Sequence, residues 1–494
     1  MKTSRFEVLS PSEIETIHAA SMCILAEVGL KVEYQKARQI FAEGGAQVDD
    51  AACCVRLPES LVRRALAQAP RAFTMYGADG NFHIEIGGSL PHFAGLGTPT
   101  RIIDLESGEV RPTTMQDVVR HIKLIDSCDF IHNSQMDIWP NDIPMTTIHT
   151  QSILAWARNS RKTYGMGCYG YLPTLDMMRM TALLVGGKEE MRRRPRFLAI
   201  CSVHSPLQMA QMQAEGLLIC AEYGQPLATS PEAIAGATAP ATLAGLLAQE
   251  NAAILAHITL AQLYRPGTPV LYGTVSTIAN MRHGTVALGA VETGLITAAS
   301  AQLARHYGLP CRSVGAATES KLEDVQAGME RTQTLAAAVL AGVDLITCGG
   351  TLDSTMLESE AMLLLDDELC GALLRMERGI EVNEETLALD LIRRIGYAGN
   401  YLAEEHTVRH YRSEHYIPRL ARREPYDAWV KEGSRSALKM AKQRVRDVLA
   451  KHQPVQLDPR LEAELEQYSA MVAQRSLEEF YAFEDVARQV WEGL

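Results

Sequence analysis

The stretch SVGAATESKLEDVQAG, residues 313–328, sets acids against a base at what reads as the end of a buried strand. Glu319, Ser320 and Lys321 stand together, and Glu323 and Asp324 follow before a helical pattern takes over. Three chemistries are open to such a group. Lys321 could attack a carbonyl to form a Schiff base, which needs burial to lower its pKa; the neighbouring acids work the other way. The loop could shape itself around a small charged ligand. Or it could be an ordinary strand-to-helix turn, with Lys321 a solvated partner of Glu323 or Asp324.

Other apolar runs end in comparable residues. Gly95, Leu96 and Gly97 close one, and Gln135, Met136 and Asp137 another. Further runs end in Tyr164, Met166, Cys168, Tyr169 and Tyr171, in Cys201 and His204, in Glu232, and in Tyr272, Ser276 and Asn280. Gly349, Gly350 and Asp353 complete the set. No Ser–His–Asp grouping, phosphate-cradling Gly-x-x-x-x-Gly-Lys-Ser loop or compact His/Cys metal signature is present. Aromatic faces and carboxylates predominate, and these hold cations. Each has a structural alternative. Tyr164, Tyr169 and Tyr171 cannot all share one face of a strand, His204 before Ser205-Pro206 could cap a helix, and Glu232 could be a first-turn acid.

The elements that must position these residues recur with a regular rhythm. Eight short apolar or small-residue runs (92–97, 130–138, 162–171, 196–205, 226–236, 269–280, 310–320 and 344–353) each precede an amphipathic helical stretch. That alternation predicts an α/β fold, a (β/α)8 TIM barrel, with chemistry at the strand ends. No Gly-x-Gly-x-x-Gly follows the first run, which argues against a doubly wound sheet. Residues 1–90 read as an N-terminal helical cap and hairpin, the latter turning at Asp79-Gly80. The barrel is assigned to 91–380 and a C-terminal helical extension to 381–494.

Composition bounds the partners. The 494 residues are 47% hydrophobic and 21% charged, with a net charge of −12, which disfavours nucleic acid. MKTSRFEVLSPSEIETI lacks a signal-peptide core, and no charge-free run of ~18 apolar residues predicts a membrane span. Ten cysteines without CxxC spacing fit reduced thiols, so a cytoplasmic protein is expected.

Four strings carry a resemblance: LSPSEIETIHAASMCILAEVGLKV, LYGTVSTIANMRHG, VGAATESKLEDVQAG and GIEVNEETLALDLI. Together they resemble the trimethylamine methyltransferase superfamily, from about residue 7 to the C-terminal helices. The resemblance implies a barrel that moves a methyl group from an amine to the cobalt of a corrinoid carried by a separate partner protein. Founding members use pyrrolysine; this chain has only standard residues. It is therefore similar to the branch that demethylates glycine betaine and related quaternary amines. Proline betaine, carnitine and γ-butyrobetaine are alternative substrates, and a non-catalytic quaternary-amine binder is the rival outside enzymology.

On that resemblance, the strand-end residues acquire roles. Phe93, Tyr164, Tyr169 and Tyr272 would cage the onium at ~0.5–2 kcal/mol each, with Glu232 or Glu319 adding Coulomb attraction. A substrate carboxylate would take donors from His204, Lys321, Arg282 or the amides of Gly349 and Gly350. Gly95, Gly97, Gly349 and Gly350 would let the corrin ring approach the rim. Glu319, Ser320 and Lys321 would then form a pocket loop, the second of the three alternatives, with the next helix running from Leu322. No side chain is expected to do covalent or acid–base work, no resident metal is needed, and a homo-oligomer is compatible with the large apolar helical complement.

Overall fold

The computed structural model describes residues 5–88, 90–134, 138–168 and 170–484. Eight parallel strands close into a barrel in chain order: β1 (His92–Ala94), β2 (Ile131–Ser134), β3 (Thr163–Gly167), β4 (Phe197–Val203), β5 (Leu227–Pro231), β6 (Val270–Gly273), β7 (Cys311–Val314) and β8 (Leu345–Thr347). After each strand the chain returns through a helix: α1 (Met115–Ser127), α2 (Ile148–Asn159), α3 (Tyr171–Val185), α4 (Gln211–Glu222), α5 (Leu243–Tyr264), α6 (Val291–His306), α7 (Val325–Ala341) and α8 (Glu360–Arg378). Strands covered by helices outside and packed against one another inside are buried on both faces, so they read as near-continuous apolar runs. Each of the eight runs seen in the sequence supplies one strand. Helix starts follow local chemistry. The Thr114 hydroxyl and the Asp117 carboxylate cap α1 reciprocally, Asp324 accepts from Ala327 N at the start of α7, and Ser359 accepts from Met362 N at the start of α8.

Register decides what the interior holds. Gly165 pairs with Leu198, Ile200 with Ala228, Ala228 with Leu271, and Ala94 with Thr347, so these side chains share the inner face. Leu198, Ile200, Ala228, Leu271, Leu345 and Ala94 then form an apolar floor with Met75, Ile84 and Ile86. The last three come from the hairpin Phe73–Tyr76 / His83–Ile86, which turns at Asp79-Gly80 as the sequence predicts and stops the barrel's N-terminal end. Arg194 lies 4.2 Å over the Tyr76 ring, and Tyr76 N donates to Pro195 O, tying the hairpin to the start of β4.

Residues 5–88 are less purely helical than the sequence implies. Three short strands, Leu30–Val32, Gln47–Asp49 and Cys54–Arg56, accompany the helices, and Lys31 and Val32 pair with Gln208 and Met209 from the loop after β4. Three-residue strands carry too little alternation to be read. The helices Pro11–Cys23, Gln35–Gly44 and Glu59–Leu66 cover α5 from outside. This explains α5, a 22-residue helix apolar all round and long enough to cross a bilayer: barrel on one side and cap on the other bury it. Helix Ala437–Lys451 packs on α8 and α1, and Pro459–Val472 on α2 and α3, so the extension wraps the barrel's side.

Two small sheets stand on the C-terminal face. One joins Arg101–Ile103 and Val110–Pro112 to Thr351–Leu352 and Leu357–Glu358; the other joins Ile234–Ala235, Thr277–Asn280 and Thr285–Ala287. Between them Leu96, Leu288, Val314 and Ala317, with Val275 and Val286, form a separate apolar cluster sealing the loops after β1, β6 and β7.

Candidate active site at the barrel mouth

Above the apolar floor the interior turns polar. Ser202 pairs with Ser230, and Gly273 with Arg312, so β4 to β7 present two serines, a glycine and an arginine at one height. Arg312 reaches over Gly273 and donates from Nη1 to Ser230 Oγ at 3.1 Å. The absence of a side chain at 273 is required here, since a Cβ would sit 2.4 Å from Thr229 O and 2.9 Å from Ser230 Oγ. Two residues beyond Ser230, on the same face, Glu232 rises into the mouth. Its side chain is open to water, yet the surrounding protein raises its carboxyl pKa, and the Arg312 charge offsets this only in part. Glu232 makes no ion pair among the described residues. A carboxylate so placed can attract a cation.

The loops carrying these groups are held from behind. Glu250, buried in α5, accepts from Thr274 Oγ1 at 3.1 Å and Ser300 Oγ at 2.9 Å, and burial pushes its pKa up to about 7. Ser276 Oγ accepts from Ala233 N at 2.8 Å, fixing the residue next to Glu232. Neither Glu250 nor Arg312 is among the site residues expected from the sequence. The signal was there: a single acid in the apolar helix ENAAILAHITLAQLYR, and a single arginine in the apolar strand PCRSV.

Several expected site residues lie elsewhere. Phe93, Tyr164 and Tyr272 face outward between strands and helices, because alternation sends their small neighbours inside. Phe93 pairs with Ile131 and Ile346 in the outer core. Tyr164 stacks on Trp156 of α2 with ring centroids 5.1 Å apart. Tyr272 donates its hydroxyl to Asn251 Oδ1 of α5 at 2.9 Å and stacks on Tyr307. None of the three can cage a ligand in the mouth. Tyr169, like Gln135, Met136 and Asp137, lies outside the described residues.

Glu319 is a structural tie, accepting from Gly289 N at 3.1 Å and Ser354 Oγ at 2.5 Å. Lys321 is on the surface, paired with Asp353 at 2.9 Å and donating to Glu319 O, so it is neither a buried amine nor a pocket residue. Leu322 and Glu323 precede α7, which begins at Val325 rather than Leu322. The opening stretch is therefore not the expected pocket loop but the third of its alternatives, a strand-to-helix turn. His204 is exposed at the turn that leads into the strand pairing with Lys31, and Arg282 is exposed at the tip of another hairpin.

The rim glycines answer to the chain itself. Gly95 donates to Asn133 O at 3.0 Å. A Cβ at Gly97 would meet Thr355 Cβ at 2.5 Å, at Gly349 Leu363 Cδ1 at 2.9 Å, and at Gly350 Glu358 Oε1 at 2.5 Å. Gly350, at φ +83°, also donates to Asp366 Oδ2 at 2.8 Å, within a network in which Asp366 pairs with buried Arg331. Close internal packing accounts for these glycines without an approaching cofactor.

Outside the barrel wall, β3 has an apolar flank. A cavity of about 150 Å³ lies beside Gly167 at the end of β3, walled by Trp139, Met145, Met166 and Met212 and by Phe480 and Tyr481 from the C-terminal segment. The aromatic string FYAF, 480–483, was the sequence signal for this return of the chain.

Residues 1–478 match the family model described as trimethylamine methyltransferase. The chain belongs to the trimethylamine methyltransferase family. It is 35% identical over 477 residues to the glycine betaine methyltransferase of Desulfitobacterium hafniense strain Y51, covering 96% of this chain and 98% of that one. It is 33% identical over 458 residues to the trimethylamine methyltransferase MttB of Desulfitobacterium hafniense strain DSM 10664 / DCB-2, covering 92% of each. Among solved structures it is similar to the monomethylamine methyltransferase MtmB of Methanosarcina barkeri, with a TM-score of 0.47 and 10% identity over 92% of this chain and 97% of that one. Membership makes this barrel a methyltransferase and its mouth the place to seek the methyl donor.

Proposed function

We propose that this chain transfers a methyl group from a betaine-type quaternary amine to the cobalt of a corrinoid carried by a separate protein. The observation that carries the reading is Glu232: in a barrel of this family, one inward carboxylate stands at the mouth with no ion-pair partner among the described residues. The named activity of the 35% identical relative supports glycine betaine as the first substrate to try. The all-standard sequence supports a quaternary donor. When the C–N bond of such a donor breaks, its electron pair stays on nitrogen, and the amine leaves neutral without needing a proton.

A cobalt(I) corrinoid supplies the nucleophile when its carrier is docked. A broad planar ring needs apolar surface to lie on. Met281, Leu322 and Met356, 79%, 64% and 51% exposed, stand on the loops after β6, β7 and β8 and would receive it. The chain's own work is to bind and orient. Glu232 holds the onium near the rim, and the Leu96–Val314 cluster and the hairpin-sealed floor exclude water from below and from one side. Orienting the reactants is worth up to ~7–11 kcal/mol in favourable intramolecular cases, so no acid or base is required.

The test is methyl transfer to a cobalt(I) corrinoid protein, followed through the corrin absorbance. The panel is glycine betaine, proline betaine, carnitine, γ-butyrobetaine and trimethylamine. Transfer from at least one betaine but not from trimethylamine is expected; transfer from trimethylamine alone would overturn the reading.

A further inference from the structure

We propose that Arg312 is the carboxylate anchor of the substrate site, which makes the enzyme selective for zwitterionic over simply cationic quaternary amines. This rests on the quaternary-amine reading above and names the second half of the ligand. Arg312 is only 5% exposed, inside the barrel, one layer below the mouth. Among the described residues its side chain makes one hydrogen bond, to a neutral hydroxyl, Ser230 Oγ, and its Nε is buried with no partner. Glu232 is near enough to be felt but does not pair with it.

A buried guanidinium without a carboxylate is unusual, because a buried charge is costly unless paired and hydrogen-bonded. Burial lowers its pKa to about 10, still well above neutrality, so the group stays cationic and suits an anionic group of a ligand. The guanidinium fork matches a carboxylate in two-point geometry, which a hydroxyl cannot satisfy. Glu232 sits above it towards solvent. A ligand with a cationic head and a carboxylate tail complements both charges in one orientation, with the methylated nitrogen outward and the carboxylate inward. That orientation puts the methyl groups at the rim, where a docked partner can reach them. Trimethylamine and choline, lacking the tail, would leave Arg312 unpaired.

The test needs no corrinoid in its first arm. By isothermal titration calorimetry, the wild-type chain should bind glycine betaine and 3,3-dimethylbutanoate, the anion in which carbon replaces the charged nitrogen and the carboxylate remains, and should bind betaine amide at least 100-fold more weakly than glycine betaine. Equal binding of the acid and the amide overturns the anchor. In the second arm, Arg312→Gln and Arg312→Lys are compared with wild type in the transfer assay. The expected result is a KM for glycine betaine raised 100-fold or more in Arg312→Gln, less in Arg312→Lys, with the wild-type preference for glycine betaine over betaine amide lost in Arg312→Gln. Acid and amide affected alike by both variants would overturn the proposal. Should Arg312→Gln fail to fold, as judged by circular dichroism, Arg312→Lys and the wild-type binding arm decide. Failure of the broader reading would look different: wild-type protein would transfer a methyl from no quaternary amine at all.

Discussion

Replacing Glu232 by Gln should produce an uncommon kinetic signature. The substitution keeps the shape of the side chain and removes its charge. A full positive charge about 5 Å away is attracted by ~3 kcal/mol at an effective dielectric of 20 and by ~1 kcal/mol in bulk water. Glu232 is open to solvent in the mouth, so the lower half of that range applies, roughly 1.5 kcal/mol or a tenfold change in binding. As the C–N bond breaks the nitrogen loses its charge, and in a half-broken bond about half of the attraction has gone. KM should therefore rise about tenfold, while kcat/KM falls only about threefold and kcat increases about threefold. Stopped-flow and steady-state methyl transfer with glycine betaine would measure all three. The carboxylate's raised pKa adds a second handle. KM should fall with rising pH through a range above the ordinary carboxylate value in wild type and stay flat in Glu232→Gln. A kcat that drops 100-fold with KM unchanged would refute the reasoning, since Glu232 would then act in the transition state. So would unchanged kinetics.

Three further expectations follow from the packing. Tyr272→Phe leaves Asn251 Oδ1 without its buried donor and should cost ~1–3 kcal/mol in urea unfolding without altering KM for any betaine; a raised KM would return Tyr272 to the site. Glu250→Gln should change how stability varies with pH. The folded pKa of about 7 lies above the ordinary 4.5, so the contribution of this group is full below pH 4.5 and is lost as pH rises towards 7. At ~1.4 kcal/mol per pH unit, wild type minus variant should fall by ~3 kcal/mol across that range; a constant difference between pH 5 and pH 8 would sink this. Lys321→Ala removes an exposed ion pair and should shift stability by under ~1 kcal/mol with transfer intact; loss of transfer would reinstate a chemical role for the lysine.

The sequence disclosed the architecture better than the site. Eight apolar runs with helices between them were legible because both faces of a barrel strand are buried, and Asp79-Gly80 marked its hairpin directly. What alternation does not say is which set of residues faces in. In KTYGMG the inner set is Thr163, Gly165 and Gly167, and the outer set is Tyr164 and Met166. The hairpin already crowds the interior with Met75, Ile84 and Ile86, so small side chains go inside and rings go to the roomier layer under the helices. The same logic in PLATSPE and PCRSV places Ala228, Ser230, Arg312 and Val314 inward, with Glu232 just past the end of its strand. A charged residue within such an alternating apolar strand was the stronger signal than any tyrosine. Glu319 and Lys321 misled because a strand end was equated with the pocket wall, whereas the chain had already begun its turn to α7.

Docking of a quaternary onium beside Glu232 in the barrel mouth can be seen directly. Arsenobetaine, in which arsenic replaces the quaternary nitrogen, would reveal the position directly through its anomalous scattering in a crystal of the chain. One arsenic peak is expected inside the mouth, within about 6 Å of the Glu232 carboxylate, the range over which opposite charges stabilise each other. A peak in the apolar flank between Trp139, Phe480 and Tyr481, with none beside Glu232, would contradict it.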